Sequence, residues 1–241
     1  MTTDLALREL DACRTLLLKA TADEWARPTP CEGWDVEALA RHLAGVAWQQ
    51  GEAFHRARIG VGEAPSWLGV EGEPSHLLDV LATAREHLAP ALADVSSEAT
   101  VPLPFAPLPQ PIAVAALVLE YGVHRYDLER ALGRATDIDL DPEVATVVAG
   151  LVPALVPLLA EKAPPAPITY RLVGDTTSVA ITWRDEAWHA DDTCDAACDV
   201  HGSDAAIALL ALGRIRGDHP ALSVSGVTDA ASSLSDHLRT L

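Results

Sequence analysis

The sequence predicts an α+β protein: a helical bundle over residues 1–163, then a small α/β domain over residues 164–241. Three observations carry that reading. Apolar residues recur at helical spacing through the first two thirds of the chain. A stiff, proline-rich APPAP at 163–167 then interrupts the pattern. Beyond it come ITYRLVG and SVAITWRD, short segments rich in β-branched and aromatic residues. With 241 residues, 49% of them hydrophobic, the chain can bury a sizeable core.

The first helix is DLALRELDACRTLLLKA, where Leu5, Leu10, Cys13, Leu16, Leu17 and Ala20 approximate one face. Thr21 and Glu24 follow with the spacing of a capping box. After the turn around Pro28 and Pro30, Asp35 is the N-cap of a second helix, VEALARHLAGVAWQQGEAFHRAR, because its carboxylate can accept from first-turn amides. Gly and Pro mark residues 60–74 as a loop, Ser75 opens a third helix to about Val95, and VPLPFAPLPQP reads as a second loop. A fourth helix runs from about Ile112 to Leu132 and stops at Gly133. Asp141 and Pro142 start a fifth, to about Lys162, which this reading counts with the bundle around a four-helix core. In the second domain, ITYRLVG and SVAITWRD form a hairpin about Gly174-Asp175. SDAAIALLALGR is a helix, SVSG a short strand and DAASSLSDHLRTL a closing helix.

Composition excludes several function classes. Seventeen Lys and Arg against 35 Asp and Glu give a formal net charge of -18, which repels nucleic-acid phosphates and anionic lipid. The N-terminal MTTDLALREL carries charges where a signal peptide has an apolar stretch, and the most apolar segment is broken by Pro153 and Pro157. The expectation is a soluble, cytoplasmic protein with small-molecule partners. Cys194 and Cys198 lack the paired CxxC rhythm of structural zinc and read as small, partly buried residues. DIDLDPEVATVV aligns Asp137, Asp139 and Asp141 with calcium-loop positions, but Pro142 stands where glycine is needed and Val148 where glutamate is. Ser225-Gly226 lacks the surroundings of a nucleophile elbow, and there is no phosphate-binding glycine loop.

His42 is the anomaly. It lies in a helix beside Leu39, Leu43 and Val46, where nothing nearby satisfies an imidazole. In the fourth helix, LVLEYGVHRYDLERALG places Glu120 and His124 four residues apart, on one face and within reach of one ion. With His42 as a third ligand the set is two histidines and one glutamate with a vacant position, as in catalytic zinc sites. Asp127, three residues beyond His124, is the candidate catalytic residue: it can orient His124 or carry protons at the open position. Spacing alone leaves the metal open, since a Glu and His four apart are common on helices, His42 can bond a backbone carbonyl, and H-E-x-x-H is absent. Trp34 and Trp48 are expected in the core. The other histidines, His55, His76, His87, His189, His201, His219 and His237, show no ligand-like grouping.

TPCEGWDVEALARHLAGV followed much later by LEYGVHRYDLERALG resembles the paired signature of the mycothiol-dependent maleylpyruvate isomerase family, a branch of the DinB-like metal-binding helical bundles. The resemblance spans nearly the whole chain. It matches Thr29, Cys31, Trp34 and His42 to the family's Thr-x-Cys-x-x-Trp stretch and first metal histidine, and Glu120 and His124 to its later ligands. It implies a divalent metal, zinc, and the cofactor mycothiol, whose metal-bound thiolate attacks an electrophilic small molecule in an isomerase or a thiol transferase. It also implies that Arg214, in the pattern Leu212, Gly213, Arg214 after the second domain's helix, binds the thiol cofactor near the domain interface. An arginine closing a helix also suits the helix dipole. The rival expectation is a metal-containing binding or regulatory protein without turnover.

Overall fold

The computed structural model describes residues 2–135, 138–159, 163–164, 166–190, 195–227, 230–231 and 234. They fall into two compact units, Met1–Asp137 and Ile138–Leu241.

The first unit is a four-helix bundle. Helix α1 (Thr2–Leu18) buries Leu5, Ala6, Leu10, Cys13 and Leu17, and a 3-10 turn (Ala22–Glu24) follows, where the Thr21 N–H donates to the Glu24 carboxylate at 2.9 Å. Asp35 caps α2 (Val36–Arg58) as expected, its carboxylate accepting from the Ala38 N–H at 2.8 Å. Helix α3 (Pro74–Asp94) opens on a proline, which loses nothing at a first-turn position whose N–H has no helical partner. Helix α4 (Gln110–Ala131) ends at Gly133, whose φ of 67° lies in the left-handed region that glycine enters without a Cβ clash. In the packed bundle α1 lies along α4 and α2 along α3, with α2 also touching α4.

The segment before α4 is more ordered than the expected loop. VPLPFAPLPQP contributes to a two-stranded antiparallel ladder, β1 (Thr100–Pro102) against β2 (Pro107–Pro109), with Val101 opposite Leu108. Pro102, Pro107 and Pro109 argue against strand in the sequence, but a two-stranded ladder consists of edges, and edge strands tolerate proline.

The second unit begins earlier than residue 164. Helix α5 (Pro142–Leu159) starts as predicted, with the Asp141 carboxylate accepting from the Glu143 N–H at 2.9 Å. It packs on α6 (Asp204–Ala211) and on strands β4 (Ser178–Arg184) and β5 (Ala187–Ala190), so the compact units divide between Asp137 and Ile138 instead of at 163. The apolar stripe of Val144, Ala145, Val148, Ala149 and Val152 is buried as its periodicity requires. Periodicity identifies a face to be covered and not what covers it.

Strand β3 (Thr169–Val173) pairs antiparallel with β4 in the expected hairpin, the Thr169 and Thr182 hydroxyls 2.9 Å apart across it. The sheet order is β5-β4-β3-β6-β7, with β6 (Cys198–His201) parallel to β3 and β7 (Ser223–Gly226) antiparallel to β6. Strands β5 and β6 are additions to the sequence reading. The turn into β5 uses Asp185 and Glu186 at φ 51° and 61°, a primed-turn conformation normally signalled by Asn-Gly or Asp-Gly. Cys198 is buried in β6, while Cys194, Asp137 and most of the expected closing helix at 229–241 lie outside the described residues. Among the described residues no helix is long and apolar enough to cross a membrane.

Candidate metal centre

The cluster lies wholly within the first unit. Helix α2 supplies His42, and one face of α4 supplies Glu120 and His124. His42 Nε2 is 2.7 Å from Glu120 Oε1, and His124 Nε2 is 3.4 Å from the same oxygen. The two imidazoles meet edge to face with centroids 5.0 Å apart. One ligand atom from each of the three residues lies within 4.8 Å of the others. The partner that His42 needs in its apolar stripe is therefore Glu120. Two imidazole nitrogens and a carboxylate converging from two helices fit a divalent cation with a fourth position left over. His42 and Glu120 keep 24% and 21% of their side chains exposed, so the cluster is reachable from solvent.

The other nitrogen of His124 has its own partner. Nδ1 is 3.0 Å from Oδ2 of Asp127, whose side chain is fully buried. With Nδ1–H donating to this carboxylate, Nε2 faces Glu120 and His42, and its lone pair would serve a cation once its proton is lost. The same Asp127 oxygen accepts from the Cys31 thiol at 3.2 Å, and Cys31 Sγ is 3.9 Å from His124 Nδ1. Cys31, His124 and Asp127 thus form a second converging group that shares His124 through its opposite nitrogen. Cys31 was expected only as part of the sequence signature. The signal lies in TPCEGW itself: Thr29 Oγ1 accepts from the Cys31 N–H at 3.2 Å and donates to the Trp34 carbonyl at 3.0 Å, folding the loop so that it delivers both the thiol and the indole.

Electrostatics couple the pair on α4. Burial by itself disfavours the charged form of each group. For Glu120 the charge of His124 and hydrogen bonds from His124 and His42 outweigh it and hold the carboxyl well below the usual carboxylate range. For His124 burial is outweighed by the Glu120 charge and by hydrogen bonds to Asp127, Cys31 and Glu120, which push the imidazole well above its ordinary value. Without a cation, His124 therefore holds a proton near neutral pH. A cation bound here would have to displace that proton, so its affinity should fall as the pH is lowered.

The aromatic surroundings differ from expectation. Trp34 is half-buried and not in the core; its ring lies 4.8 Å from His42 and 6.4 Å from His124, forming a wall of the cluster. Trp48, also half-buried, stacks on His87 at 5.1 Å. Arg214 follows α6 in the second unit, where its Nη1 donates to the Leu212 carbonyl at 3.0 Å. Among the described residues, the groups of His, Cys, Asp and Glu that converge on one point are the two sharing His124.

The family model of the mycothiol maleylpyruvate isomerase N-terminal domain matches residues 6–129, just over half of the 241 and inclusive of the whole cluster. The chain belongs to this family. Two uncharacterized proteins of Mycobacterium tuberculosis, Rv0738 of strain ATCC 25618 / H37Rv and MT0763 of strain CDC 1551 / Oshkosh, are each 29% identical over 143 residues. Those alignments cover 57% of this chain and 70% of each relative. Two crystal structures of a mycothiol-dependent maleylpyruvate isomerase, one of them a histidine-to-alanine mutant, superpose with a TM-score of 0.69. They share 19% and 18% identity with this chain, over 93% of it and 91% of each of those chains. At that identity the likeness establishes the α+β fold, a helical N-terminal bundle followed by a smaller α/β unit.

Proposed function

We propose that this member of the family is a metal-dependent, mycothiol-using enzyme that isomerises a small electrophilic molecule or adds a thiol to it. The observation that carries the reading is the convergence of His42, Glu120 and His124 within 4.8 Å, on side chains that solvent reaches. The three residues would hold a divalent cation, zinc by the mixed nitrogen and oxygen donor set. When bound, such a cation stabilises a thiolate near neutral pH.

The remaining roles fall to the chain itself. Glu120 supplies the negative charge that the cation needs, and His42 and His124 fix its place relative to the two helices. Asp127 is a positioning residue: its carboxylate meets Nδ1 of His124, the nitrogen turned away from Glu120, which favours orientation of the ring over proton transfer at the open position. Trp34 shields one side of the cluster from water. Arg214 would contact the thiol cofactor, as the family resemblance implies, its guanidinium suiting a polar or anionic group. Small molecules are the partners in this reading and the cytoplasm is the compartment.

Zinc-loaded protein should convert maleylpyruvate, or conjugate a simple electrophile, with mycothiol and not with glutathione. A protein that binds one zinc per chain yet turns over neither with any thiol would instead be a non-catalytic metal-binding member of the family.

A further inference from the structure

The chain joining α2 to α3, residues 59–73, is laid along α2 and fixed to it repeatedly. Arg56 Nη1 donates to the Glu63 and Ala64 carbonyls at 3.2 and 3.3 Å, Gln49 Nε2 donates to the Pro65 carbonyl at 3.1 Å, and Arg41 Nε pairs with the Glu71 carboxylate at 3.4 Å. Val70, within the segment, is buried. Between Arg41 and Gln49, Gly45 leaves a notch that Trp67 fills: a Cβ at position 45 would stand 2.8 Å from one ring carbon of Trp67 and 2.9 Å from another, and 3.0 Å from the Leu68 carbonyl oxygen. The seated indole lies nearly parallel to the His42 ring, with centroids 6.2 Å apart and an interplanar angle of 29°. More than half of Trp67, 53%, is nonetheless exposed.

The arrangement gives a rigid aromatic surface beside a metal ligand. The loop that carries the indole is tied down at several points, and more than half of the ring that stacks beside His42 is open to solvent. Aromatic faces favour planar, unsaturated groups through offset stacking. We propose that Trp67 determines ligand specificity at the metal centre, its indole receiving a planar, unsaturated group of the small molecule that meets the thiol at the cation's open position. The proposal rests on the metal-dependent reading given above. It adds the class of molecule that the site selects.

The test uses the full chain loaded with cobalt(II), titrated with benzyl mercaptan, a probe that carries the thiol and a planar group in one molecule, and with 2-mercaptoethanol, while the sulfur-to-cobalt absorption is followed. The parent should prefer the aromatic thiol, and Trp67→Ala should reduce that preference about ten-fold, the scale of one aromatic stacking partner, with cobalt stoichiometry unchanged. Gly45→Ala, which favours the helix while placing a methyl group in the indole's seat, should lower the preference in the same direction. An unchanged preference in Trp67→Ala, or an equal response to both thiols in the parent, overturns the proposal. Loss of cobalt from Trp67→Ala also overturns it, because the indole would then be supporting the ligands. Failure of the parent to bind cobalt sinks the metal-dependent reading itself, and this proposal with it.

Discussion

Replacing His124 by alanine is expected to remove the divalent ion proposed for the cluster and to abolish the proposed mycothiol-dependent turnover. The loss should exceed that of any neighbouring change because His124 is tied to both converging groups, Nε2 beside Glu120 and Nδ1 beside Asp127 and Cys31. Metal affinity should fall by more than the roughly ten- to hundred-fold typical of outer partners of a ligand. Fold retention needs its own control, since His124→Ala also strips the buried Asp127 of a charged partner, a change that costs on the order of 3–5 kcal/mol where nothing compensates. His42→Ala, on another helix and partly exposed, should lose the ion with less damage to the bundle. Metal analysis alongside circular dichroism checks both variants. Full occupancy in folded His124→Ala would exclude the ligand assignment.

Asp127→Asn should leave the bundle folded and lower metal affinity ten- to a hundred-fold. Asparagine keeps an oxygen that can accept from Nδ1 of His124 but removes the charge that favours the oriented ring. Were Asp127 instead a proton carrier, the variant would keep its ion and lose turnover by roughly a hundred-fold or more. A competitive zinc titration and a turnover assay on one preparation separate the outcomes. Normal affinity together with the parent rate would remove Asp127 from both roles.

Much of this cluster was legible because helices make local geometry predictable. Glu120 and His124 share a face through their spacing, Asp35 caps α2 through its carboxylate, and His42 stood out as an imidazole in an apolar stripe. Contacts across long separations left weaker traces. Cys31 lies 96 residues before Asp127 in the chain, and no periodicity relates a loop thiol to a helix carboxylate. Trp67 reaches His42 only because a glycine on α2 admits it, and Gly45 in isolation reads as a small helix residue. Helix α5 shows the same limit at the scale of a domain: its apolar face was evident, its partners were not. Strand β5 escaped notice because Asp185 and Glu186 take positive φ without the glycine that normally marks such a turn.

The most direct test is X-ray absorption at the zinc edge of the loaded protein, before and after mycothiol is added. Ligation by His42, Glu120 and His124 predicts nitrogen and oxygen scatterers alone at about 2.0–2.2 Å without thiol, and one sulfur at about 2.3 Å after addition. Sulfur already present before any thiol is added would move the ion to the group containing Cys31, and an unchanged nitrogen and oxygen shell after addition would contradict a thiol at the metal.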